Sequence, residues 1–159
     1  MSKQKNGDIK LLCSNRRASF EYTIIDTYEA GIVLYGSEVK SLRNGHGNLL
    51  DSYVSVDKKN AVLWNFNISI YKNTPDDKKH DPSRTKLLLL HSHQISKLRG
   101  LVTKSGLTII PTKVYINKTG FIKVEIGLAR GKKLHDKRRD LKEKDLAREK
   151  RRNRDHFHE

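Results

Sequence analysis

Through residue 128 the apolar residues of this chain fall in short runs that alternate with polar ones, the period of two that turns every second side chain of a strand to one face. Beyond that point the pattern stops. Residues 129–159 hold only Ala129, Leu134, Leu141, Leu146, Ala147 and Phe157 as apolar side chains, too few to build a core. The expected organisation is therefore a folded body over residues 1–128 and a polar tail over 129–159. Within the body, Val62, Trp64, Phe66 and Ile68 read as one strand face and Ile122, Val124 and Ile126 as another. Asp57-Lys-Lys-Asn60 and Asn117-Lys-Thr-Gly120 supply turn residues between neighbouring runs, which predicts two antiparallel hairpins. Phe20 to Tyr28 and Ile32 to Tyr35 read as further strands bent at Ala30-Gly31, and Lys86 to Leu90 as a strand covered on both faces.

Two segments break the alternation. Ser37 to about Asn44 suits a helix capped by Ser37 and ended by Gly45 and Gly47; a second starts at Ser92, carries Ile95, Leu98, Leu101 and Val102 on one side, and stops at Gly106. Tyr71 to Arg84, with Pro75 and Pro82 among dense charges, reads as a long surface loop. The fold class expected is mainly β: a small closed antiparallel barrel of the OB type, about six strands, with two or three short helices and a disordered basic C-terminal tail.

Charge narrows the function. Lys and Arg number 33 against 18 acidic residues, for a net charge of +15. Such an excess strains a compact chain by self-repulsion unless a polyanion neutralises it, so nucleic acid is the first partner expected. The tail holds 13 Lys/Arg and 7 Asp/Glu, which leaves a larger surplus on the body than on the tail. The N-terminal residues contain no apolar run of the ~7–15 residues an export signal needs, and Leu87 to Leu90 is too short to span a bilayer. A lone cysteine, Cys13, forms no internal disulfide. A soluble, cytoplasmic protein, monomeric and without membrane contact, is expected.

Catalytic readings find little support. His91-Ser-His93 lacks a third ligand at metal-site spacing, Cys13 has no signature of an activated thiol, and Gly127 to Lys133 is one residue short of a phosphate-binding loop and lacks its hydroxyl. No enzyme activity, metal or cofactor is expected. RNA-binding features are clearer. Lys10 and Arg16-Arg17 precede Phe20 and Tyr22, so cations stand near aromatics that can stack bases or else pack in the core. Glu29 stands beside a bend in a cationic protein, where a carboxylate either accepts hydrogen bonds from base amino and imino groups or simply pairs with a lysine. In the tail, Gly131 to Arg139 packs five cations into nine residues, and Asp140 and Lys144 form an opposite-sign i,i+4 pair. The tail is expected to be disordered when free and to fold against a polyanionic surface, reaching about 40 Å as a helix.

Several ordered runs carry a more specific signal: Asn15-Arg-Arg-Ala18, Tyr28-Glu-Ala-Gly-Ile32, Gly36-Ser-Glu-Val-Lys-Ser-Leu-Arg43, Asn48-Leu-Leu-Asp-Ser-Tyr-Val54, Asp81-Pro-Ser-Arg-Thr-Lys-Leu-Leu-Leu89 and Gly127-Leu-Ala-Arg-Gly-Lys-Lys133 followed by His135-Asp-Lys-Arg138. Together they resemble the SmpB family, the SsrA-binding proteins of bacteria, over nearly the whole chain. The resemblance implies an OB-like barrel that binds the tRNA-like part of transfer-messenger RNA (SsrA) and escorts it to ribosomes stalled on messages lacking a stop codon. It also implies that Asn15, Glu29 and Leu89 contact or support that RNA, which favours the base-reading role for Glu29. The expected RNA-binding set is Asn15, Arg16, Arg17, Glu29, Gly31, Lys40, Arg43, Arg84 and Leu89. The expected ribosome-binding tail set, facing the small-subunit decoding site and message channel, is Gly131, Lys132, Lys133, His135, Asp136, Lys137 and Arg138. Two positions depart from the family pattern: Phe20 stands where His is common, and Leu87 where many relatives carry a cation. The competing readings are a structural ribosomal protein, which would sediment with all ribosomes, another OB-type RNA binder, and, more distantly, a nuclease.

Overall fold

A computed structural model of the chain describes residues 8–155; the stretch before residue 8, read above for an export signal, and the tail beyond 155 lie outside the described residues. In chain order the elements are β1 (Lys10–Ser14), α1 (Ala18–Glu21), β2 (Tyr22–Ile32), α2 (Gly36–Arg43), β3 (Gly47–Asn48), β4 (Tyr53–Val56), β5 (Ala61–Trp64), β6 (Asn67–Ile68), a 3-10 turn at Asp76–Lys78, β7 (Lys86–Leu89), α3 (Ser92–Ser105), β8 (Thr108–Ile116), β9 (Ile122–Gly131) and α4 (Leu134–Asp155).

Both expected hairpins form. Asp57 Oδ1 accepts from the backbone N–H groups of Lys59 and Asn60, each at 2.8 Å, and closes the β4–β5 turn. Asn117 Oδ1 accepts from Phe121 N–H at 2.9 Å in the β8–β9 turn, where Gly120 supplies a φ of 89° that other residues rarely adopt. Strand pairing runs β8-β4-β5-β7-β2-β9 and returns to β8, so six antiparallel strands close a ring. β1 flanks the C-terminal part of β8, and β3 pairs with β6 as a separate ladder. Of the three strands outside the ring, β3, with two residues, and β1, bulged between Leu11 and Cys13, escaped the sequence reading, which merged β6 with β5.

Leu63, Val114 and Ile126 line the interior, and Leu42 of α2 and Leu98 of α3 close on the same core; all five are fully buried. Each such side chain contributes roughly 1.5–3 kcal/mol. A smaller cluster lies outside the ring, where Ala18 of α1 covers Ile110 and Ala129.

Four expectations need correction. Val62 and Trp64 do not share a face with Phe66 and Ile68: Asn65 adopts a left-handed φ of 57°, which resets the alternation, so Ala61, Leu63, Phe66 and Ile68 point inward and Trp64 points out. β7 is covered on one face only, with Lys86 and Leu88 inside and Leu87 and Leu89 exposed. β2 runs unbroken through Ala30-Gly31, and Gly31 pairs with Lys123 of β9 on one side and Leu89 of β7 on the other. Phe20 belongs to α1 rather than to a strand. Helix caps also shift: Glu38, not Ser37, caps α2 by accepting from Tyr35 N–H at 2.8 Å, and Gln94 accepts from His91 N–H at 3.1 Å to open α3. The loop over residues 71–84 is tied down, since His80 is buried and its ring nitrogens meet Ser37 Oγ at 2.9 Å and the Ile68 carbonyl at 2.8 Å.

Candidate nucleic-acid interface

On β2 the alternation that buries Ala30 turns Glu29 and Gly31 outward. Glu29 stands directly opposite Glu125 of β9, a placement of like charges that costs stability unless each is satisfied. Both are. Glu125 accepts from Thr112 Oγ1 at 2.7 Å and pairs with Lys113 at 3.3 Å, while the hydroxyl of Tyr115, reaching across β9 from β8, donates to Glu29 Oε2. Burial and the Glu29 carboxylate push the Tyr115 phenol above its ordinary pKa, so it remains a donor. One Glu29 oxygen is thereby fixed, and the other accepts no hydrogen bond among the described residues. Glu29 and Gly31 line a cleft of about 450 Å³ with Leu89, Lys59, Lys123 and His91. Three residues expected from the sequence, Glu29, Gly31 and Leu89, thus come together.

Asn15, Arg16 and Arg17 gather elsewhere, between β1 and α1. Asn15 N–H donates to the Thr112 carbonyl at 2.7 Å and its Nδ2 to the Pro111 carbonyl at 3.1 Å, which anchors the turn on β8. Arg16 and Arg17 are exposed and form no ion pair among the described residues. Asn15, Arg17, Tyr22 and Tyr53 line a second cleft of about 300 Å³.

The third group disperses. Arg43 is exposed on the last turn of α2, and Lys40 lies 4.6 Å from the centre of the Tyr71 ring. Arg84 is held by the protein: its guanidinium donates to Glu38 Oε1 at 2.5 Å, to the Thr85 and Val33 carbonyls at 3.0 and 3.3 Å, and stacks 4.2 Å from the Tyr35 ring centre. Beside it, fully buried Lys86 donates to the carbonyls of Phe66 and Arg84 and faces Glu38 Oε2 at 3.7 Å. Burial pushes the Lys86 ammonium below the ordinary lysine range, and the Glu38 charge offsets part of that.

In the tail, Gly131 is the last residue of β9, paired with Tyr22, so the strand continues three residues past the expected boundary at 128. Lys132 N–H donates to the Glu21 carbonyl at 2.9 Å, and its ammonium donates to the Ser19 carbonyl at 2.8 Å and to Asp140. That ammonium holds the Asp140 carboxyl below the usual range. Asp140 therefore turns to Lys132 rather than to Lys144, which lies 5.7 Å from the Phe20 ring centre. Lys133, His135, Asp136 and Arg138 are exposed and Lys137 is half-buried at the start of α4. No described residue of α4 is buried.

Other chemistry is poorly served. Burial pushes the Cys13 thiol up to about 11, away from a reactive thiolate. The His91 and His93 rings stack at 5.6 Å, but no third ligand completes a metal cluster among the described residues.

A family model described as SmpB protein matches residues 12–156. The chain belongs to the SmpB family. Curated relatives described as SsrA-binding protein include one from Persephonella marina, 53% identical over 89% of this chain and 91% of the relative, and one from Coprothermobacter proteolyticus, 49% identical over 91% and 96%. A third, from Caldanaerobacter subterraneus subsp. tengcongensis, is 50% identical over 94% and 92%. A solved structure described as "tmRNA-SmpB: a journey to the center of the bacterial ribosome" superposes with a TM-score of 0.64 at 44% identity, covering 77% of this chain and 85% of that one.

Within this SmpB-family chain Gly31 has a steric reason. A Cβ built there would lie 3.1 Å from Leu89 Cβ, tighter than side chains tolerate without movement. Gly31→Val is expected to displace Leu89 and to cost about 1 kcal/mol of stability by overpacking. RNA titration beside chemical denaturation checks it: binding should fall further than for Val124→Ala, a core change with no place in the cleft.

Proposed function

We propose that this chain binds the tRNA-like domain of transfer-messenger RNA and carries it to stalled ribosomes for trans-translation, acting in the cytoplasm as a monomer and catalysing no reaction. The observation that carries this reading is the Glu29 cleft in a chain of the SmpB family: a carboxylate held by Tyr115, with one oxygen open, between Lys59 and Lys123 on a protein of charge +15. Phosphate affinity comes from the cations, including Arg16 and Arg17; base selection comes from Glu29, which repels phosphate and accepts from amino and imino groups. Leu89 supplies the apolar wall against which a ribose or base packs.

The ring of strands serves as an OB-type barrel, and RNA lies on its outer face. The tail works separately: residues from Gly131 onward, with His135, Asp136, Lys137 and Arg138 at their start, enter the message channel beyond the decoding site. In the free protein that tail exchanges between helix and disorder, because a helix without buried side chains is marginal in water.

Glu29→Ala tests the base-reading role. The expected result is a loss of roughly ten-fold in affinity for the tRNA-like domain, as for a buried charge-assisted hydrogen bond, with little change for a hairpin of equal length. Filter binding at fixed salt measures both. Equal losses on the two RNAs would remove the base-reading role.

A further inference from the structure

The two clefts described above are joined by one outward strand face. Strand register places Leu89 beside Gly31, Leu87 opposite Val62, and Trp64 opposite Tyr53, and Tyr53 lines the Asn15–Arg17 cleft. At the end of this face nearer the Asn15–Arg17 cleft the Tyr53 and Trp64 rings stack, with centroids 6.2 Å apart and planes within 6°. They are 44% and 38% exposed, so the pair is not core packing. The indole is held in place, since Trp64 Nε1 donates to Ser55 Oγ at 2.8 Å.

The backbone beneath is held with equal care. Asp51 and Asn65 both adopt left-handed φ values, 61° and 57°, at the base of the β4–β5 hairpin. Ser52 Oγ donates to the Asn65 carbonyl at 3.0 Å across that base. Non-glycine residues in this region cost of order 1 kcal/mol each and persist where the surroundings enforce them. Here they flank an aromatic pair that is turned outward.

We propose that the Tyr53–Trp64 pair is a nucleobase-stacking platform that seats an unpaired base of the RNA bound across this face. The inference rests on the function proposed above and adds a contact to it. Charge favours RNA over a protein partner as the occupant: Lys59 and Lys123 stand with Glu29 at one end of the face, Arg17 stands with Glu21 and Asp51 at the other, and the chain as a whole carries +15. Rigid aromatic rings beside cations bind single-stranded bases with little ordering cost, because every base presents a π face.

Trp64 is the chain's one tryptophan, so its emission reports on the platform directly. The full chain is titrated with the tRNA-like domain of transfer-messenger RNA and, separately, with a blunt RNA duplex of equal phosphate count, following Trp64 emission and the anisotropy of end-labelled RNA. The expected result is quenching by the tRNA-like domain and little by the duplex. Trp64→Ala should weaken binding of the tRNA-like domain about ten-fold and Trp64→Phe no more than about two-fold, the scale of one base stack. RNA that binds with emission unchanged, or equal quenching by the duplex, overturns the platform while leaving the proposed function standing, and would open the face to a protein partner. Anisotropy showing no preference for the tRNA-like domain overturns both. Trp64→Ala and Trp64→Phe binding as tightly as the unmodified chain also overturns the platform.

Discussion

Glu38→Gln is expected to lower the unfolding free energy by about 3–5 kcal/mol, enough to remove a third or more of the stability of an ordinary domain. Glu38 is fully buried, and its carboxylate meets two cations, Lys86 at 3.7 Å and Arg84 at 2.5 Å. The amide keeps the shape and can still accept from Tyr35 N–H, so the loss isolates the charge. Without it, Lys86 and Arg84 repel each other in a site where water cannot screen them. Burial already works against the Lys86 ammonium, and the substitution removes the largest influence opposing it.

The pair can be separated from its parts. Lys86→Met added to Glu38→Gln removes both charges of the buried pair and is expected to recover most of the loss, since replacing a buried pair by uncharged residues is often neutral. Urea denaturation of the two single variants and the double variant closes the cycle. Additive losses would mean that the Glu38 charge acts through Arg84 rather than through Lys86. The same carboxylate hangs α2, with Lys40 and Arg43, onto β7, whose outer face presents Leu89.

The alternation of apolar residues made the hairpins and the ring strands legible, because a strand with one wet face must repeat at two. It misplaced Trp64 for a local reason: a single left-handed residue, Asn65, shifts the phase and leaves no mark in hydropathy. Lys86 was invisible for the opposite reason. A lysine at an inward position contradicts the pattern, and its partner Glu38 lies 48 positions earlier, so that only the fold shows the two together. The tie between Arg84 and Glu38 was hidden for the same cause. At the interface, the identities of Glu29 and Leu89 came from ordered motifs shared with a family, whereas Tyr115, 86 residues from the carboxylate it holds, carried no signal. Candidate residues inside those motifs were readable; the support that Tyr115 gives from β8, across β9, was not.

A chain ending at Lys133 is expected to bind the tRNA-like domain of transfer-messenger RNA nearly as well as the full chain, yet to reduce tagging of nascent chains on stalled ribosomes to background. The residues removed carry 10 Lys/Arg and 7 Asp/Glu, so most of the +15 surplus stays on the body along with both clefts. Binding governed by phosphate neutralisation should therefore change little, and so should its salt slope. What disappears is α4, a helix of 22 residues spanning about 33 Å with nothing of its own in the core. The cut must not fall earlier. Ending at Leu128, where the sequence alone places the boundary, would strip Ala129 from beneath α1 and the rungs pairing Thr23 with Arg130 and Tyr22 with Gly131. That shorter chain is expected to melt lower and to bind RNA poorly for reasons unrelated to the tail. A reconstituted translation reaction on a message without a stop codon, run beside RNA binding for both truncations, distinguishes these outcomes. Full tagging by the chain ending at Lys133 would mean that the barrel alone recognises the stalled ribosome, and the separate task assigned to the tail would have to be given up.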